Sequence, residues 1–193
     1  MAVHPRMRPP MSTPRRIFRI YQQLAKDAVE IRDFLSAKGE KSGTLDLLVK
    51  PDRAKLLTRW GEEMEELCGV LDGTHKDSYL MEATQTFYWG CLFAVTSGAT
   101  WETLNFDTGR IQAGTCKIDI VPEVLASVRR LVAIGPDAVK PEKLFLVWNA
   151  ADWIYRRQRP AEQQWSIEQL MEADLQDMKK KWYLEPLIAK LTD

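Results

Sequence analysis

The stretch that most limits what this chain can fold into is 79–101. It carries a single charged residue before Trp101, Glu82, set among Tyr79, Leu80, Met81, Phe87, Tyr88, Trp89, Leu92, Phe93 and Val95. A run that is apolar on nearly every side reads as a buried helix. A carboxylate on such a helix is costly unless it is paired or ligates a metal. Its candidate partners lie one helix earlier, where Glu62, Glu63, Glu65 and Glu66 follow Arg59. Glu63 and Glu66 stand three apart and Glu62 and Glu66 four apart, so these acids share one side of their helix. Leu57, Trp60, Met64, Leu67, Cys68 and Leu71 form that helix's apolar stripe.

Antiparallel packing through the turn at Asp72-Gly73-Thr74 brings Glu82 and Gln85 opposite the acids. Several carboxylates share a buried site only with a compensating cation. Oxygen ligands favour a hard ion, Mg²⁺ or Mn²⁺. A Glu-rich face alone describes a solvated helix surface equally well, and it is the isolated Glu82 that weighs against that.

The segment GEEMEEL followed by EATQTFYWGCLFAVTSGATWETL resembles the EExxE…ExxD pattern of the all-α nucleoside triphosphate pyrophosphatases. That superfamily includes MazG-like proteins, dimeric dUTPases and phosphoribosyl-ATP pyrophosphohydrolases. The resemblance covers roughly residues 52–105 and continues into the turn at Gly98-Ala99-Thr100-Trp101. Residue by residue, Glu62 and Glu63 stand at the paired acids, Glu66 at the third and Glu82 at the acid of the second motif. Gln85 falls where the family has Asp. The resemblance implies a helical bundle and Mg²⁺-dependent hydrolysis of a nucleotide between its α- and β-phosphates. In that role Glu63, Glu66, Glu82 and Gln85 hold the metal, and Glu62 orients or deprotonates the attacking water. An amide at 85 brings no charge, so the metal is held more weakly or the site has lost activity.

Lys55 and Arg59 precede the acids on the same helix. They are candidates for phosphate oxygens or for ion pairs within the helix. Trp60, Tyr88, Trp89 and Phe93 are available to stack a base, with Trp89 the candidate substrate contact. His75 lies in the inter-helix turn and His4 near the start, without zinc or triad spacing, and both read as surface histidines.

Lys plus Arg equals Asp plus Glu, 27 each in 193 residues, which argues against a general nucleic-acid or membrane-surface binder. No segment reads as a membrane span. Cys68, Cys91 and Cys116 lack CxxC spacing and read as reduced thiols of a cytoplasmic protein. Residues 1–16, rich in Pro and Arg and without an apolar core, read as a disordered tail or an over-long start, with Met11 an alternative beginning.

From Ile17 to about Lys38 the spacing predicts an amphipathic helix, and 39–50 a loop. Pro51-Asp52 opens the acidic helix, and Thr100 caps a helix start. A glycine-containing loop is expected from Asn105 to Lys117. Helical periodicity then runs from Ile118 to Ile134, from Pro141 to Gln158, and from Ser166 to about Lys190. Apart from a short strand-like run at Lys117–Val121, the expectation is an all-α chain, with 17–193 as one domain.

Sliding the sequence by 67 positions lays Glu82–Tyr88 over Asn149–Tyr155, and Glu62, Glu63 and Glu66 over Arg129, Arg130 and Ala133. Either two amphipathic helices align passably, or the chain is a duplicated pseudo-dimer. In the second case 17–106 is the metal-binding half and 118–193 a degenerate one. Arg129 and Arg130 then face the phosphates, stay in solvent, or bridge to acids such as Glu65.

Three functions fit: a nucleotide pyrophosphohydrolase clearing dUTP, dCTP or a damaged nucleotide; phosphoribosyl-ATP hydrolysis in histidine synthesis; or a non-catalytic nucleotide-binding or partner-binding descendant. A homodimer is compatible with each.

Overall fold

A computed structural model describes residues 11–115 and 120–191. Every regular element among them is helical. They are α1 (Thr13–Ala37), α2 (Gly43–Val49), α3 (Arg53–Asp72), α4 (Tyr79–Thr96), α5 (Trp101–Leu104), α6 (Phe106–Ala113), α7 (Val121–Ile134), α8 (Pro141–Gln158), α9 (Ile167–Lys179) and α10 (Glu185–Lys190). The all-α expectation therefore holds for the described residues. No helix among them is long and apolar enough to cross a membrane.

The centre of the bundle is α4, which explains its composition. It packs on α3 along the hairpin, on α8 across the core, and on α1 and α9 on its other side. A helix covered from several directions has little room for charge. Phe87 sits edge-on to Phe106, Phe145 and Trp148, with centroids 5.4–5.8 Å away. Such pairs contribute about 0.5–1.5 kcal/mol each beyond their buried area. The Trp148 indole N–H donates to the Ala83 carbonyl at 3.0 Å, tying α8 to α4. Below it, α3 packs on α7, and α7 on α8.

The acidic helix begins where Asp52 accepts from the Lys55 N–H at 3.0 Å, an N-cap. It ends at Gly73, whose φ of +83° suits a residue without Cβ. After the turn, Ser78 accepts from the Met81 N–H at 3.1 Å and starts α4. The Thr100 cap forms as expected, in a reciprocal capping box with Thr103. Ser166 and Gln169 form another.

Several expectations need correction. Residues 13–16, read as tail, form the first turn of α1, whose Pro14 is buried; Met1–Pro10, with His4, lie outside the described residues. The loop expected over 39–50 contains α2, capped by Ser42 and docked by buried Leu45 and Leu48. The loop expected after Asn105 contains α6, which buries Phe106 and Ala113. The strand-like run falls mostly on 116–119, outside the described residues, as does Cys116. The single C-terminal helix is broken into α9 and α10, with a 3-10 turn at Trp182–Leu184. Pro186 near the start of α10 cannot continue a helix from upstream, because its ring clashes with the carbonyl four residues back.

Candidate functional site

The hairpin of α3 and α4 brings two of the sequence-identified acids together and sets beside them His75, which the sequence reading did not connect to them. Glu66, exposed on α3, and Glu82, fully buried on α4, lie with His75 so that one ligand atom from each falls within 4.8 Å of the others. Two atoms bound to one ion at about 2.0–2.2 Å are at most about 4.4 Å apart. Binding one cation would therefore draw the three groups closer together than they stand here.

Neither oxygen of the buried Glu82 carboxylate has a hydrogen-bond partner among the described residues. His75 Nε2 lies 3.6 Å from Glu82 Oε1. Burial pushes the Glu82 pKa up, and the charges of Glu66 and Glu63 push it further, while His75 pulls it down. An orphaned acid amid like charges is the arrangement that a divalent cation resolves.

His75 was expected at the surface. It is half-buried instead, because the loop after α3 folds back on the helix. The Gly69 carbonyl accepts from both Thr74 N–H (2.8 Å) and His75 N–H (3.0 Å). A Cβ on Gly69 would come within 2.7 Å of the His75 Cβ, so this close approach requires glycine. His75 Nε2 also meets Asp77 Oδ2 at 2.9 Å.

Glu63 is buried but turned to a different partner. The Arg59 guanidinium forks, placing Nη1 2.5 Å from Glu62 Oε2 and Nη2 2.5 Å from Glu63 Oε1. The other Glu63 oxygen is buried with the Trp89 indole as its nearby donor. Burial raises the Glu63 pKa; Arg59 opposes this and Glu66 adds to it. Arg59 therefore makes the within-helix ion pairs that its spacing allowed. Lys55 is exposed near the start of α3, and Glu62 is exposed.

Gln85 lies one helical turn after Glu82 on α4 and is half-buried. It lines a neighbouring cavity of about 670 Å³ together with Arg59, Tyr88, Trp89, Asp174 and Lys181. The cavity runs between α3, which contributes Arg59, and α9, which contributes Asp174, with Gln85 on α4 in its wall. Of the four aromatics available to stack a base, Trp60 and Phe93 are buried in the core. Tyr88 and Trp89 remain in the cavity wall. Tyr88 bonds Thr44 Oγ1 at 2.9 Å, and the Arg59 guanidinium lies 5.3 Å from the Trp89 ring centroid, a cation–π distance.

Across the cavity, burial pushes the Asp174 carboxyl up to about 7, against the pull of Lys181. A raised folded-state pKa means stability present below the ordinary value of 3.8 and lost as pH rises towards 7. Asp174→Asn is accordingly expected to raise the unfolding free energy at pH 8 by roughly 1–4 kcal/mol, with a matching rise in melting temperature, and to leave both nearly unchanged at pH 4. Equal shifts at both values would remove the buried-carboxyl account.

A second polar cluster lies in α8. The Tyr79 hydroxyl donates to Asp152 Oδ1 at 3.0 Å, and Arg156 Nε donates to Asp152 Oδ2 at 2.8 Å. Here the buried acid is satisfied, unlike Glu82. Arg129 reaches Glu65 at 3.5 Å, one of the alternatives open to it.

Comparison of the chain with protein-family models, with curated proteins and with solved structures gave no match in any of the three.

Proposed function

We propose that the chain is a divalent-metal-dependent nucleotide pyrophosphohydrolase, cleaving a nucleoside triphosphate or related nucleotide to the monophosphate and pyrophosphate. The observation that carries this reading is Glu82, whose fully buried carboxylate has both oxygens unpartnered and faces Glu66 and His75. The resemblance of residues 52–105 to the EExxE…ExxD pattern supports it. So does a cavity lined by Tyr21, Tyr88 and Trp89 and by Arg59, the partner of Glu63.

The donors fit a divalent cation. Glu66 and Glu82 would hold it, with Glu63 adding charge from alongside. Such a cation neutralises the polyphosphate and positions water for attack at phosphorus. Arg59, in the cavity wall and next to Glu63, is placed to exchange an internal ion pair for phosphate oxygens. Glu62, exposed beside it, is the candidate to take a proton from the attacking water. Tyr88 and Trp89 offer faces to a base, and Gln85 offers an amide to the sugar or phosphates.

We read α7 and α8 as a degenerate second copy of α3 and α4 that braces the first. In support, α7 packs on α3 and α8 on α4. Buried Asn149 and Asp152 stand at the positions of Glu82 and Gln85.

The test is a nucleotide panel that includes phosphoribosyl-ATP, read by pyrophosphate release with and without Mg²⁺ or Mn²⁺. Wild type is expected to release pyrophosphate only with metal. Glu63→Ala and Glu82→Ala are expected to lower turnover on the order of 100-fold or more with the helical circular dichroism retained. Undiminished turnover in Glu82→Ala would end the metal-site assignment. The uncharged Gln85 favours a second reading, a nucleotide-binding protein that no longer turns over. Its signature is nucleotide binding by wild type without hydrolysis, and activity gained in Gln85→Asp.

A further inference from the structure

We propose that His75 is a metal ligand, and that the Glu66–His75–Glu82 site prefers a first-row transition ion, from Mn²⁺ to Zn²⁺, over Mg²⁺. This deepens the metal-site part of the function proposed above and does not depend on hydrolysis.

Three observations point there. The Glu82 carboxylate is fully buried and carries two orphaned oxygens. His75 presents Nε2 to it at 3.6 Å, too far for a hydrogen bond and within the span of two ligands on one ion. The loop carrying His75 is clamped to α3 by two hydrogen bonds to the Gly69 carbonyl, at a contact that leaves no room for a Cβ. His75 is thus delivered to the acids by a built turn rather than by a free side chain.

The donor set decides the ion. Two carboxylates and one neutral imidazole leave positions open for water and carry two negative charges, which a divalent ion balances. Mg²⁺ demands near-ideal oxygen coordination and gives up its waters reluctantly. Imidazole nitrogen strengthens binding along the series from Mn²⁺ towards Zn²⁺. Asp77 Oδ2, at 2.9 Å from the same nitrogen, holds the ring in place without an ion. On binding, Nε2 exchanges that contact for the metal, and Asp77 remains beside the site. The competing account makes a protonated His75 itself the counter-charge of Glu82 and Asp77, with no ion involved.

The two accounts separate in a metal-only titration. Bound and free Mn²⁺ are distinguished by electron paramagnetic resonance, with Mg²⁺ and Zn²⁺ as competitors. Pulsed measurements on the bound ion then look for coupling to ¹⁴N. Wild type is expected to bind one Mn²⁺ with a resolved nitrogen coupling, and Zn²⁺ is expected to displace it at least 100-fold more effectively than Mg²⁺. His75→Ala is expected to lose the nitrogen signal and to bind Mn²⁺ at least tenfold more weakly, with Mg²⁺ binding little changed. Glu82→Gln is expected to abolish the site. Thermal melting of each variant reports whether it is folded. Bound Mn²⁺ without nitrogen coupling, or equal competition by Mg²⁺ and Zn²⁺, overturns the His75 assignment while leaving an all-oxygen site and the proposed hydrolysis intact. No Mn²⁺ binding by folded wild type overturns both.

Discussion

Glu82→Gln is expected to stabilise the metal-free protein at pH 8 and to remove the additional stabilisation that a divalent cation gives the wild type. The first effect follows from burial. The Glu82 carboxyl has no exposed surface and no hydrogen-bond partner among the described residues, and its pKa is raised by desolvation, then by Glu66 and Glu63. A raised acid is neutral at low pH and must carry its charge into the interior at high pH. Its contribution is therefore present below the ordinary carboxylate range and is lost as pH rises through the raised value. A neutral amide of the same shape removes that loss. The gain at pH 8 is expected on the order of 1 kcal/mol, the low end of what an uncompensated buried polar group costs, or roughly 2–4 °C in melting temperature for a chain of this size.

The second effect has the opposite sign. A cation bound only by the folded state stabilises it by mass action, and a site without Glu82 cannot hold it. Melting curves at pH 5 and 8, with and without Mn²⁺, measure both. A Glu82→Gln variant less stable than metal-free wild type at pH 8 would mean that the carboxylate already has a compensating partner, with His75 the first suspect.

Arg59→Ala is expected to show the opposite pH dependence. Arg59 is the guanidinium that meets the buried Glu63 carboxylate, at 2.5 Å, while its second nitrogen holds Glu62. Its loss leaves Glu63 charged and unpaired at neutral pH. Breaking a fully buried pair from one side costs about 3–5 kcal/mol. The Arg59 side chain is 41% exposed, so screening reduces the expected cost to about 1–2 kcal/mol at pH 8. At pH 5 Glu63, already raised by burial, takes up a proton more readily and the cost shrinks. Arg59→Lys is expected to recover only part of the loss, because an ammonium cannot fork between two carboxylates. Urea denaturation at the two pH values measures this. A cost that is the same at both would show that Arg59 matters through its packing on Trp89 rather than through Glu63.

How far the sequence alone could reach is clear from particular residues. The burial of α4 was legible because its composition leaves no polar face, and the single acid on it marked the place to look. The meeting of Glu66 with Glu82 followed from helical spacing and one short turn. The limits of α8 were legible from Pro141 and the charged end at Arg156–Arg157.

The short helices were not legible. Docked by two or three buried residues each, α2 and α6 are too brief for periodicity to speak. The approach of His75 to the acids depends on a loop folding back over α3. One signal was available: Gly69 sits inside a helix, where glycine costs about 1 kcal/mol against alanine. A glycine kept at that cost marks a close approach, and the chain that returns over it carries the histidine.

The most direct measurement of the central claim is anomalous diffraction from crystals of the full chain grown with Mn²⁺. The account predicts one strong anomalous peak between the carboxylates of Glu66 and Glu82 and the His75 ring, and none there in crystals of Glu82→Gln. A wild-type map with no peak at that position, or with the same peak persisting in the Glu82→Gln variant, would contradict it.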